Sequence, residues 1–162
     1  MNSVDLLNVL TEFTRGATKD LILPTKPEKK ASGEPRAAEV HKMNLPDPVA
    51  CRTKAPYIIH QVIGIKDVQQ PGQNDQALCT IRTVFCVYNS DAEEGGLDLL
   101  NLMERLRISL LRKCVLDSRY VLDKSAGIDA GPYDSEETRP FYLAEMISTW
   151  KMPAIKQEVS YD

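Results

Sequence analysis

The residues of this 162-residue chain that could do chemistry are two histidines, four cysteines and several close-spaced carboxylates. His60 lies between Ile59 and Gln61 in a β-branched run. An isolated histidine there is more often a satisfied core residue than a general base. Cys51, Cys79, Cys86 and Cys114 show no C-x-x-C spacing, and with only His41 and His60 beside them the soft ligands are too few for a zinc site. They read as reduced and mostly buried. Gly95-Gly96 opens a helical stretch, but Asp91, Glu93 and Glu94 beside it repel the phosphate that such a site would hold. Glu136 and Glu137 with Asp134 read as a solvated acidic turn rather than an acid/base pair. Trp150, Phe141 and Tyr142 could stack a ligand, yet on a core-facing strand they pack. Phosphate-binding, nucleophile-elbow, zinc-protease and dinucleotide motifs are all absent from the sequence. The expectation is therefore a protein that is not an enzyme, with no catalytic residue, metal or cofactor.

The elements that carry these residues fit one domain. Hydrophobic residues at 43% and charged residues at 27% are those of an ordinary globular chain. No apolar run approaches the roughly 18 residues of a membrane helix. Asp5 and Glu12 stand where a signal peptide carries cations, so the chain is expected to start in a cytoplasm. Residues 1–55 hold nine Lys/Arg against seven Asp/Glu (+2), and residues 56–162 hold eleven against sixteen (−5). A mildly basic front on an acidic body argues against nucleic-acid binding.

Ser3 to Phe13 reads as a short amphipathic helix capped by Ser3 and stopped by Gly16, within an N-terminal segment 1–20. Residues 21–55 contain half of the ten prolines and read as an extended Pro/Lys-rich arm, anchored by Val40, Met43, Leu45 and Val49. Strands are expected at Tyr57–Ile65, Ala77–Tyr88, Arg119–Leu122 and Phe141–Met152. The third is short, and the stretch from Asp123 to Arg139 is a loop or irregular strand. A long helix, capped by Asp91, runs to about Val115 with Leu99, Met103, Leu106, Leu110 and Cys114 on its buried stripe and Leu100, Leu111 and Val115 widening it. Together these give a single α+β domain over 1–162: an antiparallel sheet of about four strands with one long and one short helix packed on it, an extended Pro-rich arm, a body at 56–153 and a tail at 154–162.

Three stretches then carry a resemblance: A-P-Y-I-I-H-Q-V-I at Ala55–Ile63, G-G-L-D-L-L-N-L-M-E-R-L-R at Gly95–Arg107, and P-F-Y-L-A-E-M-I-S-T-W-K-M-P at Pro140–Pro153. In order and spacing the chain resembles the tail terminator (tail completion) proteins of long-tailed bacteriophages and phage-tail-like particles over roughly residues 55–158, with a looser echo at Leu45–Pro48. The resemblance implies an α+β structural virion protein. Such a protein forms a hexameric ring on the head-proximal end of the tail tube, stops tube polymerisation and offers a surface for head attachment. The implied partners are further copies of itself, the tail tube protein, head-completion or connector proteins, and a sheath protein if the tail contracts. DNA only passes through the lumen, and no membrane is involved. Location in the virion tail, after assembly in the host cytoplasm, follows from the same resemblance.

Long polar segments that the core does not need are where a ring subunit makes contacts. Asp67, Gln69, Gln70, Gln73 and Asn74 in the first loop, Asp129, Tyr133, Glu136, Glu137 and Arg139 in the second, and Lys156 and Tyr161 in the tail are the interface candidates. The alternative is another neck component, a head-tail connector or head-closure ring. Behind it stand a small ligand-binding domain or enzyme with a pocket under Trp150 and His60, and a nucleic-acid binder using Lys26 to Lys54.

Overall fold

A computed structural model describes residues 2–27, 33–45, 54–133 and 136–158. Its element order is α1 (Ser3–Thr18), β1 (Glu39–Lys42), β2 (Tyr57–Val68), β3 (Gln76–Tyr88), α2 (Ala92–Lys113), β4 (Val115–Leu116), β5 (Tyr120–Leu122), β6 (Asp129–Pro132) and β7 (Phe141–Met152). The expected sheet of about four antiparallel strands is corrected by this order. Seven strands form one curled, half-barrel sheet in the order β1-β2-β3-β7-β5-β4, with β6 also on β7, and β1 runs parallel to β2. The fold is mostly sheet, with two helices on it. The extra strands escape sequence patterning because they are two to four residues long and built from Glu-Val-His-Lys, Val-Leu and Asp-Ala-Gly-Pro. Segments that short hold no alternation of their own and are recruited by the long strands beside them.

The long strands follow their side-chain alternation. β3 and β7 pair along their length, from Ala77 opposite Met152 to Tyr88 opposite Phe141. Cys79, Ile81, Thr83, Phe85 and Val87 face the helices together with Tyr142, Ala144, Met146, Ser148 and Trp150. The main core lies between that face and Leu6, Leu10, Leu99, Leu102, Leu106 and Leu110 of the helices. On the other face a smaller cluster joins Tyr57, Ile59, Cys86 and Phe141 to Leu45 and Ala55.

The arm is thus not a free extension. β1 pairs with Tyr57–His60, Val40 and Leu45 are buried, and the Arg36 guanidinium donates to the carbonyls of Lys54 (2.6 Å) and Pro56 (3.1 Å). Met43 is exposed, whereas Val49, Cys51, Asp134 and Tyr161 lie outside the described residues.

α1 runs five residues past Phe13. Its cap is Asn2, whose side chain accepts from the Asp5 amide at 3.1 Å, rather than Ser3. Gly16 costs roughly 1 kcal/mol of helix propensity. That cost is overridden because the buried stripe continues through Thr11, Thr14 and Thr18, the last two bonding back to carbonyls four residues earlier. The N-terminal end of α1 is tied to the β4–β5 hairpin: Arg119 bonds the Asp5 carboxylate at 2.9 Å and the Tyr120 hydroxyl donates to it. The hydrogen bond from Tyr120 and the Arg119 charge hold the Asp5 carboxyl below its usual range. Burial, with Asp5 beside it, pushes the Tyr120 hydroxyl up to about 12. Asp117 and Ser118, at φ of 52° and 55°, turn the chain left-handed within the three-residue loop 117–119, which the Arg119 amide closes onto the Leu116 carbonyl at 3.2 Å.

α2 begins at the Asp91 cap, which accepts from the amides of Glu93 and Glu94, and ends where Cys114 turns left-handed at φ 59°. Leu102 joins the buried stripe, whereas Leu100, Leu111 and Val115, expected to widen it, are solvent-exposed. Gly95 is a fitting requirement. A Cβ there would lie 2.3 Å from the Tyr142 ring, while one at Gly96 would meet open space. Gly95→Ala is therefore expected to destabilise the fold by about 1–3 kcal/mol and Gly96→Ala to stabilise it by about 0.5–1 kcal/mol. Urea unfolding of both variants checks this, and equal effects would contradict the packing at Gly95.

Candidate functional site

His60 occupies the deepest polar position. Its ring is fully buried, with Nε2 2.7 Å from the Thr14 hydroxyl and Nδ1 2.8 Å from the Thr83 hydroxyl. Thr14 already donates to the Leu10 carbonyl at 2.7 Å, so its oxygen must accept from His60. This fixes a neutral ring with the proton on Nε2 and Thr83 donating to Nδ1. Burial pushes the His60 pKa down to about 3, and the ring bonds α1 to the sheet instead of facing a ligand. Trp150 is likewise enclosed, its indole N–H donating to Ser148 at 3.0 Å. Burial raises the Cys79 thiol to about 11, which suppresses thiolate chemistry. Among the described residues no cluster of His, Cys, Asp or Glu could hold a metal ion, and no helix is long and apolar enough to cross a membrane.

The accessible chemistry lies on the helix-free face and the ends of the sheet. On that face Arg82 of β3 reaches the Tyr133 hydroxyl at 2.9 Å and the Glu145 carboxylate of β7 at 3.5 Å, while Tyr133 donates to Glu145. Tyr133 and Glu145 border a shallow groove of about 310 Å³ with Asp129, Gly131 and Ile147. Glu145 pairs with Arg82, whose buried Nε makes no hydrogen bond, and with Asp129 on its rim the groove offers no free cation to recruit an anion. Tyr133 was legible as an exposed aromatic in a polar stretch. Arg82 and Glu145 were missed as site residues; their signal is a charge in mid-strand on the face opposite the core.

Except for Asp129, which lies opposite the middle of β7, the described contact candidates fall into two groups toward opposite ends of the long strands. Gln69, Gln70, Gln73 and Asn74 are exposed at the β2–β3 tip, where Gln69 donates to the Ile155 carbonyl at 2.7 Å and brings the tail with exposed Lys156 alongside. Asp67 belongs to β2 itself, opposite Ala77, and not to the loop. Glu136, Glu137 and Arg139 are exposed in the turn that enters β7, at its other end. Tyr133 directly follows β6, and Asp129 is not in a loop either: as part of β6 it pairs with Ile147. The 11 steps from Phe141 to Met152 separate the two ends by about 36 Å.

Between these ends one margin of the sheet is open. β1 covers only Tyr57–His60, so Gln61–Val68 has β3 on one side and no strand on the other among the described residues. Ile63 and Ile65 are 53% and 54% exposed there, next to a register shift between Val62 and Gly64. Such an edge offers unpaired backbone groups and apolar side chains to an incoming surface. Comparison of the sequence with models of protein families and with curated proteins returned no match.

The buried histidine makes a pH prediction. The unfolded chain binds a proton on His60 below pH 6.5, and the folded chain does not until about pH 3. Stability is therefore lost as pH falls through that window, by about 2 kcal/mol between pH 7 and pH 5. Asp5 and Asp123 carry lowered pKa values and contribute only below the usual carboxylate range, so this interval isolates His60. Urea midpoints at the two pH values measure the loss. A His60 ring resonance titrating near pH 6 would contradict the burial.

Proposed function

We propose that this chain is a ring-forming structural protein that caps the head-proximal end of a phage-type tail tube, ending tube growth and presenting the surface to which the head attaches. The observation that supports it is the division of contact surfaces. Polar tips lie at the two ends of the β3–β7 pair, and an unpaired lateral margin runs along β2 between them. A capping ring needs these three surfaces. One axial face matches the last tube ring, the other differs from it, and a lateral contact closes the ring on itself. A tube is a series of like contacts, and a subunit whose two ends differ, Gln/Asn-rich at one and Glu/Arg-bearing at the other, ends that series. The partners are further copies of the chain, tube protein, head-completion or connector proteins, and sheath protein in a contractile tail. The location is the virion tail after assembly in the host cytoplasm. The acidic body suits passage of DNA through the lumen, because a lining short of cations makes few phosphate contacts.

Electron microscopy of tube protein polymerised with and without the chain tests the reading. Shorter tubes bearing one terminal ring are expected. Ile63→Asp with Ile65→Asp is expected to abolish the ring while far-UV circular dichroism is unchanged, since both side chains are exposed in the monomer. Bare tubes of unaltered length beside folded protein would reject capping in favour of a contact on the connector side of the neck.

A further inference from the structure

α2 carries a second apolar stripe, on the side away from the core. Leu97, Leu100, Ile108 and Leu111 are 49%, 37%, 38% and 43% exposed. At about 100° per residue, all four point within about 40° of the direction of Glu104. They form a ridge with grooves on both sides, one bordered by Leu21 and Arg105, the other by Pro132 and Tyr133. The ridge is also symmetric: Leu97 and Leu111 stand seven residues either side of Glu104, and Leu100 and Ile108 stand four.

The charge on the helix is polarised. Its first turns and cap hold Asp91, Glu93, Glu94 and Asp98, and its second half holds Arg105, Arg107, Arg112 and Lys113. We infer that this ridge is a self-association surface, on which α2 of a second copy of the chain packs antiparallel across a two-fold axis centred at Glu104.

Antiparallel packing sets each acidic half against a basic half and opposes the helix dipoles, whereas parallel packing sets like charge on like. In the two-fold pair Leu97 meets the partner's Leu111, and Leu100 meets the partner's Ile108, each twice, because an isologous contact repeats every pairing. Glu94 and Arg112 lie on the same flank, about 80° round from Glu104, and same flanks face each other across such an axis. Glu94 thus approaches the partner's Arg112 with an axial offset of about 3 Å. At the centre the two Glu104 carboxylates do not meet unscreened, since Arg107 lies 3.8 Å from Glu104 within each copy and adds two cations to the axis. A membrane surface fits this ridge poorly, because an interfacial helix carries Lys and Arg along its flanks and the first half of this one is acidic. The inference is independent of the capping ring, whose proposed lateral contact uses the β2 margin.

Sedimentation equilibrium of the full chain over a concentration series reads the pairing directly. The wild type is expected to double in mass with concentration. Leu100→Asp with Ile108→Asp, at exposed positions, is expected to remain monomeric with unchanged circular dichroism. Arg112→Glu turns two attractions into two repulsions and is expected to weaken association by about tenfold; adding Glu94→Arg to it is expected to restore association. A wild type that stays monomeric throughout overturns the inference. So does association that survives Leu100→Asp with Ile108→Asp, or a charge swap that fails to rescue. Six-fold rings insensitive to these substitutions would overturn the pair and leave capping standing. Pairs that form normally in a chain unable to cap tubes would reject capping and leave the pair.

Discussion

Everything in this molecule hangs on the pairing of β3 with β7, two strands of 13 and 12 residues matched from Ala77–Met152 to Tyr88–Phe141. A ladder of that length with two alternating faces needs apolar cover on at least one of them. Both helices supply it, and the short strands exist because the ladder offers them edges. β6 and β5 lie along the far side of β7, β4 joins β5 through a three-residue hairpin loop, and β2 extends the near side of β3. Gly95 shows how closely the cover fits, since α2 rests on the Tyr142 ring with no room for a methyl group.

The second tie is polar. His60, held between Thr14 and Thr83, fixes α1 over β2 and β3 through two hydrogen bonds in a layer whose other buried polar side chains include Thr11, Thr18 and Ser148. Buried polar groups are tolerated when every partner is present. They also orient what they join: an apolar residue at position 60 would let α1 slide, whereas the ring admits one placement of the two hydroxyls.

What was legible in the sequence follows the length of its patterns. The alternation of residues 77–88 and 141–152 and the helical period of 92–113 are long enough to define their elements and most of their faces. β1, β4 and β6 are too short to carry a period and arise from tertiary pairing. The prolines of the arm exclude a central strand, yet Glu39–Lys42 within it forms an edge strand on Tyr57–His60. Leu100 and Leu111 were misplaced on the buried stripe because an apolar residue next to a stripe reads as its widening, whether or not a sheet lies beneath. The polar insertions are visible in the sequence, but Asp67 and Asp129, placed in loops by that reading, belong to β2 and β6. That the 69–74 tip and the 136–139 turn lie at opposite ends of one ladder, and that Arg82 and Glu145 meet Tyr133 across two strands, depends on register, which no local pattern contains.

The two margins of the sheet are chemically unequal. Beyond β7 lie β6, whose last residue Pro132 has no N–H to give, and β4, which is two residues long; beyond β3, β2 runs eight residues past the cover of β1. Proline and brevity are the usual means by which a sheet refuses a further strand. A sheet that accepts strands on one side alone cannot serve as both template and recruit. Strand addition at the β2 margin therefore has no second margin from which to continue, and chains crowded at high concentration are kept from lengthening into a cross-β fibre.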